Sequence, residues 1–303
     1  MTENLAQLGE DALIRRLTAG IAYTTDVLVG IGDDCAMVQR PPEGWVQLLK
    51  TDCIVEGVHF LREDCPRQVG WKAMARAVSD IASMGGTPQY ALVTLVVPVE
   101  IEVAALERLY LGLRDCAEAF GAQIVGGETS RGPVLIVNVA LTGKVKRDLC
   151  LRRSGAVAGD AIYVTGRLGG SRKAHHLTFT PRLVHGRWLA AHSLVRAMMD
   201  LSDGLAKDLP RMAEASELEF VIDEKALPVT EGCTPQHAWS DGEDYELLLA
   251  VPPHATERLE KKWAFVFQQV PLTRIGQFVR RGEGRMPTFG GSGWDHFQST
   301  PAS

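Results

Sequence analysis

The devices by which proteins most often hold nucleotides or zinc are missing from this sequence. There is no G-x-x-x-x-G-K-[ST] loop, because Lys144 follows Gly143 and no glycine stands five residues before Gly143. No G-x-G-x-x-G turn follows an apolar run, and the protein-kinase triplets H-R-D and D-F-G do not occur. The six cysteines (35, 53, 65, 116, 150 and 233) form no Cys-x-x-Cys pair, and histidine and cysteine pairs at zinc spacing are lacking. Scattered in a chain this long, they read as reduced thiols of a cytoplasmic protein.

Two partner classes are also excluded. No stretch approaches the ~20 apolar residues of a membrane span, and the opening MTENLAQLGEDALIRRL reads as an amphipathic helix rather than a signal peptide. The net charge of -5 supplies no basic surface for a nucleic acid, and Arg15-Arg16, Arg152-Arg153 and Arg280-Arg281 are too short and too separate to make one.

What is present is a mixed pattern of strands and helices. WVQLLKTD (45 to 52), YALVTLVVP and VLIVNVALTG read as strands. WKAMARAVSDIASMGG sets Trp71, Met74, Val78 and Ile81 at helical spacing, and VAALERLYLGLRDCAEAFG reads as a helix closed by Gly121. After the polar segment 144 to 160 the pattern restarts with the strand AIYVTG. There follow a helix RWLAAHSLVRAMM, strands LEFVID and YELLLAVP, a helix near 255 to 264, and TRIGQFV. We expect an α+β or α/β chain of two halves, 1–148 and 149–303.

Carboxylates recur at the ends of these elements. Asp33-Asp34 lie in a turn, Asp52 ends LLKTD, Asp80 sits in AVSDIASMGG, and Glu128 follows a strand in IVGGETSRG. Asp200 and Asp203 fall in MDLSDGL, and Asp241, Glu243 and Asp244 in SDGEDYEL. Each has a plain structural reading: Asp80 one turn from Arg76 as an ion pair, Ser202 or Asp203 as a helix cap. Together, KTD, VSD, GGETS and LSDGL combine hard oxygen donors with small residues. That chemistry suits Mg²⁺ or Mn²⁺ rather than Zn²⁺. Carboxylates converging with no cation would repel and hold their protons, and Mg²⁺ shared with substrate phosphates is the usual remedy.

Seven segments, in order, carry a family resemblance: GIGDDCAMV, KTDCIVEGVHF, GWKAMARAVSDIASMGGTP, GGETSRGP, RRSGAVAGDAIYVTG, DLSDGLAKDLPRMAEAS and DGEDYELLLAVP. From about residue 9 to the final GWDHF, the chain resembles the thiamine-monophosphate kinases. These belong to the superfamily of aminoimidazole ribonucleotide synthetase, selenophosphate synthetase and the hydrogenase-maturation dehydratase. The resemblance implies ATP-dependent phosphorylation of thiamine monophosphate to thiamine diphosphate. It implies a homodimer in which an N-terminal metal- and ATP-binding domain pairs its strands into a barrel, a C-terminal α/β domain, and an ATP cleft between the two with several Mg²⁺ ions.

Residue by residue, Asp34, Thr51, Asp52, Asp80, Asp200 and Asp203 resemble the metal ligands, and Glu128 stands where the family has a ligand aspartate. Gly127, Arg153 and Ser202 match ATP-contacting positions, and His59, Glu243 and Trp294 match positions that contact the thiamine moiety. The departures are Glu128 itself, Asp241 beside Gly242-Glu243, Lys50 where a small hydroxyl residue is common, and a shortened segment GGSRKAHHLTFTPRLVHG. The alternatives are another ATP-using superfamily member and a non-catalytic nucleotide-binding protein. Selenophosphate synthesis would need a reactive cysteine near the N-terminus, and the first here is Cys35. The maturation enzyme would need one at the C-terminus, and none follows Cys233. No residue is assigned as general base.

Overall fold

The computed structural model describes residues 10–29, 31, 36–289 and 293–294. The chain divides into two compact units, one of residues 1–81 with 86–147 and the other of 82–85 with 148–303.

The first unit is built on a four-stranded sheet, β3 (Trp45–Val55), β4 (Thr87–Val97), β5 (Gln123–Arg131) and β6 (Ile136–Lys146), in the order β3-β6-β4-β5. β6 runs antiparallel to both β3 and β4, and β4 and β5 are parallel. Parallel neighbours need a crossover, and α3 (Val103–Phe120) supplies it, ending at Gly121 in the left-handed conformation (φ 72°). With α2 (Pro66–Ser83) it covers one face of the sheet, burying Met74, Val78 and Ile81 of α2 and Leu106, Leu109 and Leu113 of α3. The two helices approach closely because Gly70 and Gly112 lack side chains; a Cβ on either would strike the other helix's backbone carbonyl. A short helix α1 (Glu10–Thr18) and a two-stranded ribbon, β1 (Val27–Val29) with β2 (Met37–Val38), complete the unit.

Among the described residues, no element packs over the opposite face of this sheet. Along β3, Leu48 and Ile54 are buried while Leu49, Thr51 and Cys53 are exposed, Leu49 to 79%; Leu92 of β4 is also exposed. The sheet is open, not closed into a barrel, within the chain.

The second unit has a five-stranded sheet, all antiparallel, in the order β8-β10-β7-β11-β9. Its strands are β7 (Ala161–Thr165), β8 (Ala197–Asp200), β9 (Glu219–Ile222), β10 (Leu247–Val251) and β11 (Leu272–Val279). Both faces are covered, which is why LLLAV in β10 is a continuous apolar run rather than an alternation. Leu248 and Ala250 pack with Leu205, Leu209 and Met212 of α6 (Leu205–Ala215) and with Trp239 of α7 (Pro235–Ser240). Leu247, Leu249 and Val251 pack with Leu189 of α5 (Leu183–His192) and with Leu259 and Trp263 of α8 (Thr256–Val266). A single turn, α4 (Ser171–Ala174), follows β7.

One element departs from the sequence reading. RWLAAHSLVRAMM is not one helix: α5 stops at Ser193, in the left-handed region at φ 50°, and Ala197–Asp200 is strand β8. Apolar residues buried on both faces of a central sheet give no period by which to separate the two states.

Candidate active site

In the first unit the alternation of β3 decides which side chains meet. Lys50 and Asp52 share the face toward α2, and Asp80 comes from the last turns of that helix. Lys50 Nζ lies 3.0 Å from Asp80 Oδ2 and 3.4 Å from Asp52 Oδ2. Arg76 Nη2 lies 3.3 Å from Asp52 Oδ1. Arg76 therefore salt-bridges the strand's aspartate, across from α2. Asp34, the third carboxylate expected here, lies outside the described residues, as does its neighbour Asp33.

Thr51 points to the other face of β3, where its hydroxyl donates to Asn138 Oδ1 at 2.9 Å. Glu128 is exposed on β5, the opposite edge strand from β3, about three strand spacings or ~14 Å away. It forms no ion pair among the described residues and lines a cavity of about 80 Å³ with Gly127, Thr129, Val93 and Ile31. Gly127 has a packing reason of its own, since a Cβ there would collide with the carbonyl of Val93. His59 closes a tight turn after β3. Its Nδ1 accepts from the Val55 N–H at 3.1 Å, which leaves the neutral ring's proton on Nε2. The fully buried Lys72 donates to the His59 carbonyl at 2.7 Å.

In the second unit three separate segments meet around 200–204. Asp200 ends β8 and is buried. The Glu243 N–H donates to the Ser202 carbonyl at 2.7 Å, and the Trp294 N–H to the Asp203 carbonyl at 2.8 Å. Four residues expected at ATP, metal and thiamine contacts, Ser202, Asp203, Glu243 and Trp294, are thus joined at one turn by backbone hydrogen bonds. Glu243 is held with φ 56°, a strained setting for a non-glycine residue, and its carboxylate lies 3.3 Å from His176 Nδ1. Arg153 is exposed in the loop before β7.

The residue that organises this turn is Asp208, in the first turn of α6. Its Oδ2 accepts from the N–H groups of Ser202 (3.0 Å) and Asp203 (2.9 Å), and its Oδ1 from Arg211 (2.8 Å). Arg211 also donates to Asp203 Oδ2 at 2.7 Å. Burial, followed by the nearby charges of Asp203 and Asp200, pushes the Asp208 carboxyl up to about 7. A position three residues into a helix gives a capping signal, but not this degree of burial.

The segment 241–246 is structural in the same way. Asp241 Oδ2 accepts from the Gly170 N–H and Asp244 Oδ1 from the Gly169 N–H, at 2.8 and 2.9 Å. Burial drives the Asp244 carboxyl well above its ordinary value. Glu246 takes a two-pronged bond from Arg182 and a hydroxyl from Thr165. The Arg172 guanidinium lies over the Trp294 ring, 4.4 Å from its centroid, and Lys207 Nζ donates to the Trp294 carbonyl at 2.6 Å.

The donors offered are carboxylates and hydroxyls, the chemistry of Mg²⁺ rather than of a softer metal. Among the described residues, no group of three or more His, Cys, Asp or Glu side chains has the arrangement of a metal site. Asp52 and Asp80 fit a hard cation in kind, but part of their charge is already met by Lys50 and Arg76. The described cysteines are free thiols, and no described helix is long and apolar enough to cross a membrane.

Comparison with known proteins accounts for both units. Residues 32–145 match the family model of AIR synthase related protein, N-terminal domain, and residues 171–286 that of its C-terminal domain. Thiamine-monophosphate kinase of Rhodopirellula baltica is 37% identical, with 90% of each chain covered. That of Salmonella typhimurium is 36% identical over 97% of this chain and 99% of its own. Among solved structures, thiamine-monophosphate kinase from Stenotrophomonas maltophilia K279a superposes with a TM-score of 0.76 at 30% identity, covering 89% of this chain and 92% of that one. AaThiL complexed with AMPPCP and TMP gives 0.73 at 31% identity over 98% and 100%. The Escherichia coli hydrogenase maturation protein HypE shares the fold at 20% identity, with a TM-score of 0.73. The chain belongs to the thiamine-monophosphate kinase family of AIR synthase related proteins.

Proposed function

We propose that this chain transfers the γ-phosphoryl group of ATP to the phosphate of thiamine monophosphate, giving thiamine diphosphate and ADP. The observation that carries the reading is the near full-length likeness, at 31% identity, to a structure holding both AMPPCP and TMP. A phosphate oxygen of the acceptor attacks the γ-phosphorus as the bond to the β–γ bridging oxygen breaks, and ADP leaves. The second pKa of a phosphate monoester is near ~6, so the attacking oxygen is already anionic at neutral pH and no protein base is required. His59 is given no proton-removing role; its Nδ1 lone pair accepts from the Val55 N–H.

The chain's own contribution is positioning and charge. Asp34, Thr51, Asp52, Asp80, Glu128, Asp200 and Asp203 are the proposed holders of Mg²⁺, which when bound neutralises the phosphate oxygens. Gly127, Arg153 and Ser202 are proposed to contact ATP, with the two halves expected from the sequence, 1–148 and 149–303, serving one ATP cleft. His59, Glu243 and Trp294 are proposed for the thiamine moiety. Arg172 already lies over the Trp294 ring, so a thiazolium seeking that face must displace it.

A cytoplasmic homodimer completes the proposal, with the four-stranded sheets of two copies closing into a barrel. The uncovered face bearing Leu49 and Leu92, and the unpaired edges of β3 and β5 among the described residues, support it. The test is ADP release from Mg·ATP with and without thiamine monophosphate. Release that requires the acceptor and yields thiamine diphosphate is expected; equal release in both reactions, or none, would sink the assignment.

A further inference from the structure

The ammonium of Lys50 lies between the carboxylates of Asp52 and Asp80. Its Nζ is 3.0 Å from Asp80 Oδ2 and 3.4 Å from Asp52 Oδ2. These distances suit a charge-assisted hydrogen bond to one carboxylate and an ion pair with the other. The geometry is set by the backbone: positions two apart on β3 share a face, and Asp80 faces them from α2. The three side chains keep only 30%, 13% and 23% of their surface, Lys50, Asp52 and Asp80 in turn, so the contact is partly shielded from water. The second oxygen of Asp52 is met by Arg76, itself 13% exposed.

We infer that Lys50 is a resident cation of the phosphate-transfer site, standing in for one divalent ion between Asp52 and Asp80. It is a positioning residue: it acts on the phosphates through the two carboxylates it fixes. The inference rests on the magnesium–ATP reading above. Two consequences follow from elementary charge. An ammonium carries one positive charge against two for a divalent ion, and with Arg76 also on Asp52 the two carboxylates are formally balanced, so they hold any further ion on their outer side less strongly than a bare pair would. A tethered cation also cannot be lost by dilution, so this part of the site is assembled before nucleotide or metal arrives, whereas a divalent ion there would depend on its free concentration.

A competing role is direct contact of the Lys50 ammonium with an ATP phosphate. In that case Lys50 leaves the two aspartates on binding, and its removal weakens nucleotide affinity while creating no new metal position. Counting bound ions separates the two. Mn²⁺, titrated into the full-length protein at saturating AMPPCP and followed by the loss of the free-ion electron paramagnetic resonance signal, gives the number bound per chain.

Lys50→Ser is expected to bind one Mn²⁺ more per chain than the parent protein, because the vacated space offers both aspartates and a hydroxyl. Lys50→Ala repeats the test should the serine variant fold poorly, and Lys50→Arg, which keeps the charge, is expected to retain the parent count. Equal counts in the parent, the serine and the alanine proteins overturn the inference and leave the kinase reading standing. A parent protein that binds no Mn²⁺ with AMPPCP overturns both.

Discussion

The two acidic clusters of this chain are held by different means. In the first unit, Asp52 and Asp80 stand on a strand and a helix, and the side-chain cations of Lys50 and Arg76 offset their charge. In the second, Asp203 sits in a turn whose shape is fixed by backbone amides donating to the buried Asp208, with Arg211 braced across both carboxylates. Carboxylates on rigid elements, met by side-chain cations, suit the handling of charge. A turn stitched to 241–246 and to Trp294 suits the placing of substrates against a fixed backbone.

The comparison breaks most sharply at Asp80. Asp80→Asn should lower kcat by about a thousand-fold or more, since loss of charge stabilisation at a transferring phosphoryl group is costly. Removing a carboxylate from a crowded acidic site would relieve repulsion if the site were bare. Here the change instead leaves the Lys50 ammonium with one partner fewer, so the free protein should melt at or slightly below the parent temperature. Steady-state rates and a thermal melt check both parts; full activity in the variant would remove Asp80 from the site.

The opposite balance is expected at Asp208. Asp208→Ala leaves two backbone N–H groups and Arg211 without their acceptor in a buried setting, which costs about 3 kcal/mol of stability. Urea denaturation measures it, and an unchanged midpoint would show that the turn is held by its other bonds alone.

A smaller effect is expected at the Trp294 ring. Trp294→Ala should raise the Michaelis constant for thiamine monophosphate by about five- to ten-fold, from roughly 1–1.4 kcal/mol of lost cation–π attraction, and leave that for ATP nearly unchanged. Because Arg172 competes for the ring, Arg172→Ala should lower the constant for thiamine monophosphate by about two-fold. A rise in both variants would make Arg172 a ligand for the substrate rather than its rival.

The least effect is expected at His185, which is assigned no metal or substrate contact, and it concerns the fold's own response to pH. His185 packs against Phe267 and Trp263, its Nδ1 lacks a partner among the described residues, and burial lowers its pKa to about 4. The unfolded chain binds its proton near 6.5, so stability is full above that value and falls as the pH drops from about 6.5 to about 4. His185→Gln should flatten that part of the melting-temperature profile by a few degrees, and an identical profile would show that another group sets it.

Much of the fold was legible because amphipathic helices declare their period. Val78 and Ile81 on α2 and the cap at Gly121 fall where spacing puts them. β8 was not legible, since AMMD is buried on both faces and follows α5 with no glycine or proline between them. The site divides along the same line. The proposed residues Asp52, Asp80, Ser202 and Asp203 announce themselves by residue type, although Asp52 lies within β3 and not after its end. Lys50, Arg76, Asp208 and Arg211 owe their roles to side-chain direction and burial, which a linear string does not display. Lys50 was visible only as an unusual neighbour of Thr51, and its place between two aspartates needed the pleat of β3 and the height of Asp80 on α2.

The most direct test of the division between a charge-handling cluster and a shape-holding one is the rise in melting temperature caused by Mg·AMPPCP, measured in the parent, Asp80→Asn and Asp208→Asn proteins. A ligand stabilises the folded state according to its concentration relative to its dissociation constant, so the rise reports binding apart from the stability of the free protein. The account predicts that Asp80→Asn melts near the parent temperature without ligand and loses most of the rise, while Asp208→Asn melts lower without ligand and keeps it. A full rise in Asp80→Asn, with the rise abolished in Asp208→Asn, would contradict it.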